Sequence, residues 1–258
     1  MLYRKGLLPT KNRFLMVRHG ESIWNKDSKF TGWTNIPLTN NGRKEATLIS
    51  QTLIKHNICP NIIFTSVLDR AIETSNIIKN ELNKFNKIDV PMYTSWRLNE
   101  RHYGTLEGIP RQYIRDLFGR KYTKLIRCNY NIKPPIVRDY AYNDKEYKIY
   151  RNCYFKTVKY GESKENVLER MLPYYENDIL YTLNEERLPL IVTHKHTARV
   201  LMKHLLKIND EEFEDYELPE KKIIMVYLKD DLSYDTHKEL EFYNTDKKSE
   251  KSKRNNKQ

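Results

Sequence analysis

Cysteine is scarce. The 258-residue chain has three, Cys59, Cys128 and Cys153, and none forms a CxxC pair. This excludes a disulfide scaffold and a cysteine-rich zinc site, and it suits a reducing compartment. Long apolar runs are absent as well. The longest are stubs such as residues 14–17 and 223–228, far short of the roughly 20 residues that cross a bilayer, so no membrane span is expected. Eight glycines and ten prolines are too few for a collagen-like or low-complexity chain. Aromatics are plentiful: nineteen tyrosines and eight phenylalanines supply core and argue against global disorder.

Acidic residues are missing where the charge is most one-sided. The formal net charge is +12, but residues 247–258 carry +5 of it and residues 1–13, which hold no acid, carry +4. The body between them is left with only +3. A nucleic-acid binder carries a basic stripe within its fold, so no nucleic-acid partner is expected. The head lacks an apolar run of signal-peptide length. The expected organisation is an extension over residues 1–12, one domain over 13–246 and a basic disordered tail over 247–258, in the cytoplasm.

Periodicity sets the fold class. Residues 13–19 (RFLMVRH) read as a buried strand. Residues 39–56 read as a helix capped by Thr39, with Ala46, Ile49 and Leu53 on its apolar face. Residues 61–65 form a second short strand, followed by a helix capped by Ser66 and running to about Leu82. A weaker strand covers 88–93. Residues 107–161, rich in Lys, Arg, Tyr and Asn, read as a lid-like insertion with one helix over about 110–122. A helix over 162–183, with Pro173 as a candidate kink, precedes a buried strand at 188–193, a helix at 196–206 and a strand at 223–228. The alternation implies a three-layer α/β fold: a mostly parallel central sheet with helices on both faces.

Two strand ends carry the chemistry. Arg18-His19-Gly20-Glu21-Ser22 closes the first strand, and His194-Lys195-His196-Thr197 closes a later one. Ligands of open α/β sheets bind at the carboxyl ends of strands, so both histidines should reach one crevice. Arg70, one turn into the helix after the second strand, can point there too. Two histidines, two arginines and helix N-termini describe an anion site, and phosphate is the obvious anion. Imidazole is a competent phosphoryl acceptor near neutral pH. The His194-x-His196 spacing lacks an adjacent third ligand, so no metal is assigned.

At these residues the chain closely resembles the cofactor-dependent phosphoglycerate mutases of the histidine phosphatase superfamily. The likeness runs through residues 15–46 (LMVRHGESIWNKDSKFTGWTNIPLTNNGRKEA), 65–74 (TSVLDRAIET), 96–108 (WRLNERHYGTLEG), 130–135 (YNIKPP), 161–172 (GESKENVLERML) and 190–206, and fades after about Asp230. The resemblance implies that His19 is the phosphorylated histidine, that His194 stabilises the transferring group and that Glu100 donates and accepts the proton. It implies phosphate contacts from Arg18, Ser22, Asn25, Thr31, Gly32 and Arg70. Substrate contacts are implied from Tyr103, Arg111 and Arg127, with Arg101, His102, Lys195 and His196 alongside. The implied primer is 2,3-bisphosphoglycerate, the implied ligands are small phosphorylated sugar acids, and the implied assembly is a homodimer or homotetramer. Arginines and an imidazolium can neutralise a transferring phosphoryl group without a metal.

The chain also departs from the family pattern. His-Gly-Asn-Ser becomes His194-Lys195-His196-Thr197, and the second of two paired arginines becomes Cys128. Thr-Gly after Leu-Pro becomes Glu220-Lys221, and a lysine becomes Arg111. Lys195 is therefore expected either to crowd the pocket or to supply a cation, and Glu220 puts a carboxylate beside an anion site. The expected function is interconversion of 3- and 2-phosphoglycerate through phosphohistidine in glycolysis. The alternatives are a phosphatase of the same fold with altered substrate, or a catalytically impaired relative.

Overall fold

The short apolar runs become strands because each lies at the middle of one six-stranded sheet. The computed structural model describes residues 12–135 and 161–243. Its strands are β1 (Arg13–Arg18), β2 (Ile62–Thr65), β3 (Met92–Thr94), β4 (Pro189–Thr193), β5 (Lys222–Leu228) and β6 (Tyr234–Glu241), in the order β3-β2-β4-β1-β5-β6. The first four are mutually parallel, β5 is antiparallel to β1, and β6 is antiparallel to β5. The sheet is thus mostly parallel, as expected. β6 was not expected. Its sequence, YDTHKELE, is polar and largely exposed, so no apolar period announces it, and its charges suit an edge.

The helices are α1 (Ile23–Lys26), α2 (Asn40–Lys55), α3 (Asp69–Asn86), α4 (Arg111–Cys128), α5 (Lys164–Tyr174), α6 (Lys195–Leu206) and α7 (Asp210–Asp215). Alternation along β1 divides the core. Leu15 and Val17 join Ile49 and Leu53 of α2 and Ile78 and Leu82 of α3 on one face. Phe14 and Met16 join Val167 and Met171 of α5 and Leu201 and Leu205 of α6 on the other. Burying each such side chain contributes about 1.5–3 kcal/mol. A third cluster, Phe30, Tyr103, Leu106, Ile114 and Ile126, ties α4 to the loops below it.

Several boundaries differ from expectation for local reasons. Thr39 caps α2 as read, accepting the Gly42 N–H at 3.0 Å. Ser66 does not cap α3, which starts at Asp69 after Leu68. The strand expected over 88–93 lies at Met92–Thr94. α4 runs past Tyr122 to Cys128, bent at Gly119, whose φ of 82° interrupts the helical turn. The helix expected over 162–183 keeps its α-helical form only to Tyr174. Pro173 removes a donor from its last turn, and Tyr175–Ile179 continues as a π turn and Leu180–Glu185 as a 3₁₀ turn. Residues 136–160 of the expected insertion, residues 1–11 of the expected extension and the expected tail lie outside the described residues.

Candidate active site

Parallel register brings the two histidines together. Arg18 of β1 pairs with Thr193 of β4, and the ladder continues one step as the His19 N–H donates to the Thr193 carbonyl at 2.9 Å. His19 and His194 therefore leave neighbouring strand ends side by side, their rings 4.8 Å apart. Gly20 permits this exit, because a Cβ there would lie 2.2 Å from the Gly42 carbonyl oxygen in α2.

The surroundings of His19 fix its proton. Its Nδ1 lies 2.7 Å from the Gly20 carbonyl, which can only accept, so Nδ1 carries the hydrogen. Arg70 Nε donates to Nε2 at 3.3 Å, which requires a lone pair there. Burial above all, then the Arg70 and Arg18 charges, holds the pKa of His19 well below the usual 6.5. His194 is lowered by the same burial, by Arg70 and by His19. Both rings are thus neutral at physiological pH. The positive charge beside them is carried by Arg18 and Arg70.

Arg70 is the second residue of α3 rather than one turn in. It is buried and donates to the Thr34 carbonyl at 3.0 Å and the Gly32 carbonyl at 2.7 Å. Burial pushes its pKa down to about 10, which leaves it cationic. Gly32 makes this turn with φ of 55°, and a Cβ there would lie 1.8 Å from the Glu107 carboxylate. Glu107 in turn accepts the Trp33, Thr34 and Tyr103 N–H groups at 3.0–3.1 Å.

Glu100 is hydrogen-bonded to the first turn of α6, next to His194 in sequence. Its Oε1 accepts the Arg101 N–H at 2.8 Å and the His196 N–H at 3.3 Å. Burial raises its pKa above the usual carboxyl value. Its own carbonyl accepts from Trp33 Nε1 at 2.6 Å and from Arg170 at 3.0 Å. Arg170 is held by Glu162 at 2.7 Å beneath it.

These groups open on a cavity of about 320 Å³. His19, Glu100, Arg18, Arg70, Asn25 and the Thr31-Gly32 turn are among the residues that line it. Tyr103, Arg111, Arg127, Lys195 and His196 line it too. His196 Nε2 shares a hydrogen bond of 2.7 Å with the Tyr103 hydroxyl. The other expected residues sit behind the wall. His194 lies beside His19, and Ser22 caps α1 in a capping box with Asn25. Arg101 donates to the Glu162, Ile126 and Ile132 carbonyls at 2.6–2.8 Å, and His102 lies 3.3 Å from Glu107. Arg101 and His102, expected among the substrate- and phosphate-binding residues, do not line the cavity and brace the loops that carry Glu100 and Tyr103.

The departures have partners. Lys195 opens α6 with ordinary backbone angles, and its ammonium lies 2.7 Å from Glu217, which also faces Arg199 at 3.8 Å. Glu220 lies 3.6 Å from Arg18 at the mouth. The carbonyl of Cys128 accepts from Lys164, a buried side chain that also reaches the Asn129 carbonyl at 3.4 Å. Sequence reasoning missed Ser66, Glu107, Lys164 and Glu217. For Glu107 and Lys164 the one signal was a charge inside an otherwise well-matched stretch.

Comparison with known proteins agrees with this geometry. The family model described as Histidine phosphatase superfamily (branch 1) matches residues 14–234. A 2,3-bisphosphoglycerate-dependent phosphoglycerate mutase of Buchnera aphidicola is 38% identical over 237 residues, covering 90% of this chain and 98% of that one. The enzyme of that name from Haemophilus influenzae is 35% identical, covering 86% and 97%. Among solved structures, mycobacterial hydrolase 1 aligns with a TM-score of 0.67 at 18% identity, covering 91% of this chain and 99% of that one. A mycobacterial glucosyl-3-phosphoglycerate phosphatase in complex with VO3 gives 0.66 at 19%, covering 88% and 97%. At that identity the two structures share the fold.

Proposed function

This chain belongs to the histidine phosphatase superfamily (branch 1), and on that premise we propose that it is a 2,3-bisphosphoglycerate-dependent phosphoglycerate mutase. It interconverts 3- and 2-phosphoglycerate through phosphohistidine, as a glycolytic enzyme of the cytoplasm. The observation that carries this reading is a pair lining one cavity with arginines: a neutral His19 whose Nε2 lone pair accepts from Arg70, and a buried Glu100 with a raised pKa.

The residues suit a ligand with two phosphates and a carboxylate. Arg18 and Arg70 supply charge beside His19, and the Arg18 Nε is buried without a hydrogen-bond partner among the described residues. Arg111 and Arg127, from the two ends of α4, supply more of it along the same cavity, with Tyr103. When bound, 2,3-bisphosphoglycerate supplies the phosphoryl group that charges the enzyme. His19 Nε2 forms the N–P bond as the ester P–O bond breaks, and the proton of Glu100 goes to the departing oxygen. In the reverse sense the Glu100 carboxylate takes the proton of the attacking hydroxyl, and the phosphoryl group returns to it. Arg18 and Arg70 spread the charge of the three equatorial oxygens. Asn25 and the Thr31-Gly32 turn orient that group.

The proposal includes a homo-oligomer, by resemblance to the family. Among the described residues, edge strand β3, with Tyr93 half-exposed, has one side that pairs with no strand. Among the described residues no helix is long and apolar enough to cross a membrane.

The test is a phosphoryl trap. The protein is incubated with 2,3-bisphosphoglycerate, acid-labile phosphate is measured, and the label is chased with 3-phosphoglycerate or with buffer. Labelling that discharges to the sugar acid, and that is lost in His19→Ala, is the expected result. Discharge to water as fast as to 3-phosphoglycerate would replace the mutase reading with a phosphatase. Mutase activity persisting in His19→Ala would overturn the nucleophile.

A further inference from the structure

The strand order places a third side chain against the histidine pair. β4 lies between β2 and β1, with Thr65 of β2 opposite Val192 and Arg18 of β1 opposite Thr193. The next residues on the outer two strands, Ser66 and His19, therefore flank His194. The Ser66 Oγ is 2.7 Å from His194 Nε2, and the same oxygen accepts the Leu68 N–H at 3.3 Å. Ser66 and His194 are both fully buried. The remaining ring nitrogen, His194 Nδ1, is buried without a hydrogen-bond partner among the described residues.

One assignment of donors and acceptors gives the serine proton its acceptor. A serine hydroxyl has one proton and two lone pairs. Here a lone pair is occupied by the Leu68 N–H, and the proton has His194 Nε2 as its partner. If His194 Nε2 held the hydrogen instead, the serine proton would lose this acceptor. Nδ1, on a ring 4.8 Å from that of His19, would then hold a lone pair and could not donate to a phosphoryl oxygen. With the serine donating, a neutral His194 carries its hydrogen on Nδ1.

We infer that Ser66 is a positioning residue that fixes His194 as the Nδ1–H tautomer, so that this imidazole donates a hydrogen bond to the phosphoryl group in transit at His19. The inference rests on the phosphoryl-transfer reading of the site and specifies how a neutral second histidine serves it. His194 acts as an oriented donor while the arginines carry the charge. Ser66 is buried away from the cavity lining and acts only through His194.

The test has two readouts. Side-chain nitrogen NMR of the full-length protein without ligand reads the tautomer directly, with the His194 signals assigned by their loss in His194→Gln. The wild type is expected to show a protonated Nδ1 and an unprotonated, hydrogen-bonded Nε2 on His194. Phosphoryl transfer from 2,3-bisphosphoglycerate to 3-phosphoglycerate reads the consequence. Ser66→Ala is expected to lower kcat about 10–100-fold, the range for removing a group that orients a ligating histidine, with KM changed by less than about threefold. Ser66→Thr, which keeps the hydroxyl, restores most of the rate. A wild-type spectrum with the hydrogen on Nε2 overturns the assignment whatever the variants do, including variants that fail to fold. A folded Ser66→Ala with unchanged kcat overturns the positioning role. If His19 takes no phosphoryl group at all, the mutase reading fails, and the spectrum still decides how Ser66 sets the ring.

Discussion

Lys164 should make this protein more stable as pH rises through the mildly alkaline range. Its side chain is fully buried at the start of α5. Burial, followed by the charges of Arg199 and Arg101, pushes its pKa from 10.5 down to about 6. A neutral amine has two N–H donors, and Lys164 has two carbonyl acceptors in reach, those of Cys128 and Asn129. Between about pH 6 and 10.5 the unfolded chain holds a proton on this lysine and the folded chain does not. The unfolded state thus binds more protons, and stability rises with pH by about 1.4 kcal/mol per unit. Near pH 7 the buried histidines add a slope of the same sign, because their folded pKa values also lie below the unfolded ones. By pH 7.5 unfolded histidine has largely lost its proton, and Arg70 begins to contribute only near pH 10. The interval from 7.5 to 9 therefore isolates Lys164, and its contribution there is about 2 kcal/mol. Urea denaturation at both pH values measures it, with Lys164→Met as the comparison. The wild type should gain about 2 kcal/mol more than the variant over the interval. Equal gains would mean that Lys164 keeps its charge in the fold and that the neutral-amine account is wrong.

The site supports further predictions. Glu220→Gln removes a carboxylate 3.6 Å from Arg18; an exposed pair of this kind is worth about 0.2–1 kcal/mol, so KM for 3-phosphoglycerate should fall up to about fivefold in steady-state assays. A rise in KM would mean that Glu220 orients Arg18 for the substrate. Gly20→Ala drives a Cβ onto the Gly42 carbonyl, backbone that cannot step aside, and should cost about 1–3 kcal/mol in a thermal melt together with most phosphohistidine formation. Full stability in that variant would show that the loop has room. His19 should keep the neutral pattern in nitrogen NMR as pH falls below 6.5, since burial and Arg70 hold its pKa down; titration near 6.5 would contradict that environment.

The parts of this molecule legible in the sequence are those governed by short-range pattern. RFLMVR is buried on both faces as β1, Thr39 caps α2, and the two histidines meet because each ends a strand of the same parallel group. Period and punctuation state this much. β6 was not legible, since YDTHKELE owes its conformation to the backbone ladder of β5 rather than to any apolar alternation of its own. The break after Tyr174 was only half legible: Pro173 marks it, but the change of helical period beyond it belongs to how Tyr175 and Ile179 pack into the core.

The site divides along the same line. Residues inside the strand-end motifs could be assigned by position, but side chains whose work depends on a distant partner could not. Ser66 reads locally as a helix cap, three residues before Asp69, and only the β2-β4 register reveals that its hydroxyl belongs to His194, 128 positions away. Arg101 reads as a phosphate ligand beside Glu100, yet its three carbonyl acceptors come from segments that meet only in the folded chain. Lys195 and Glu220 looked damaging in isolation because a charge in a sequence shows no counterion. In the fold Lys195 faces Glu217 and Glu220 faces Arg18. The Lys195 charge is offset by Glu217, whereas Glu220 offsets part of the charge of Arg18 itself. The charge surrounding the phosphoryl position then still rests on Arg18 and Arg70, the two arginines whose positions the strand-end pattern had already indicated.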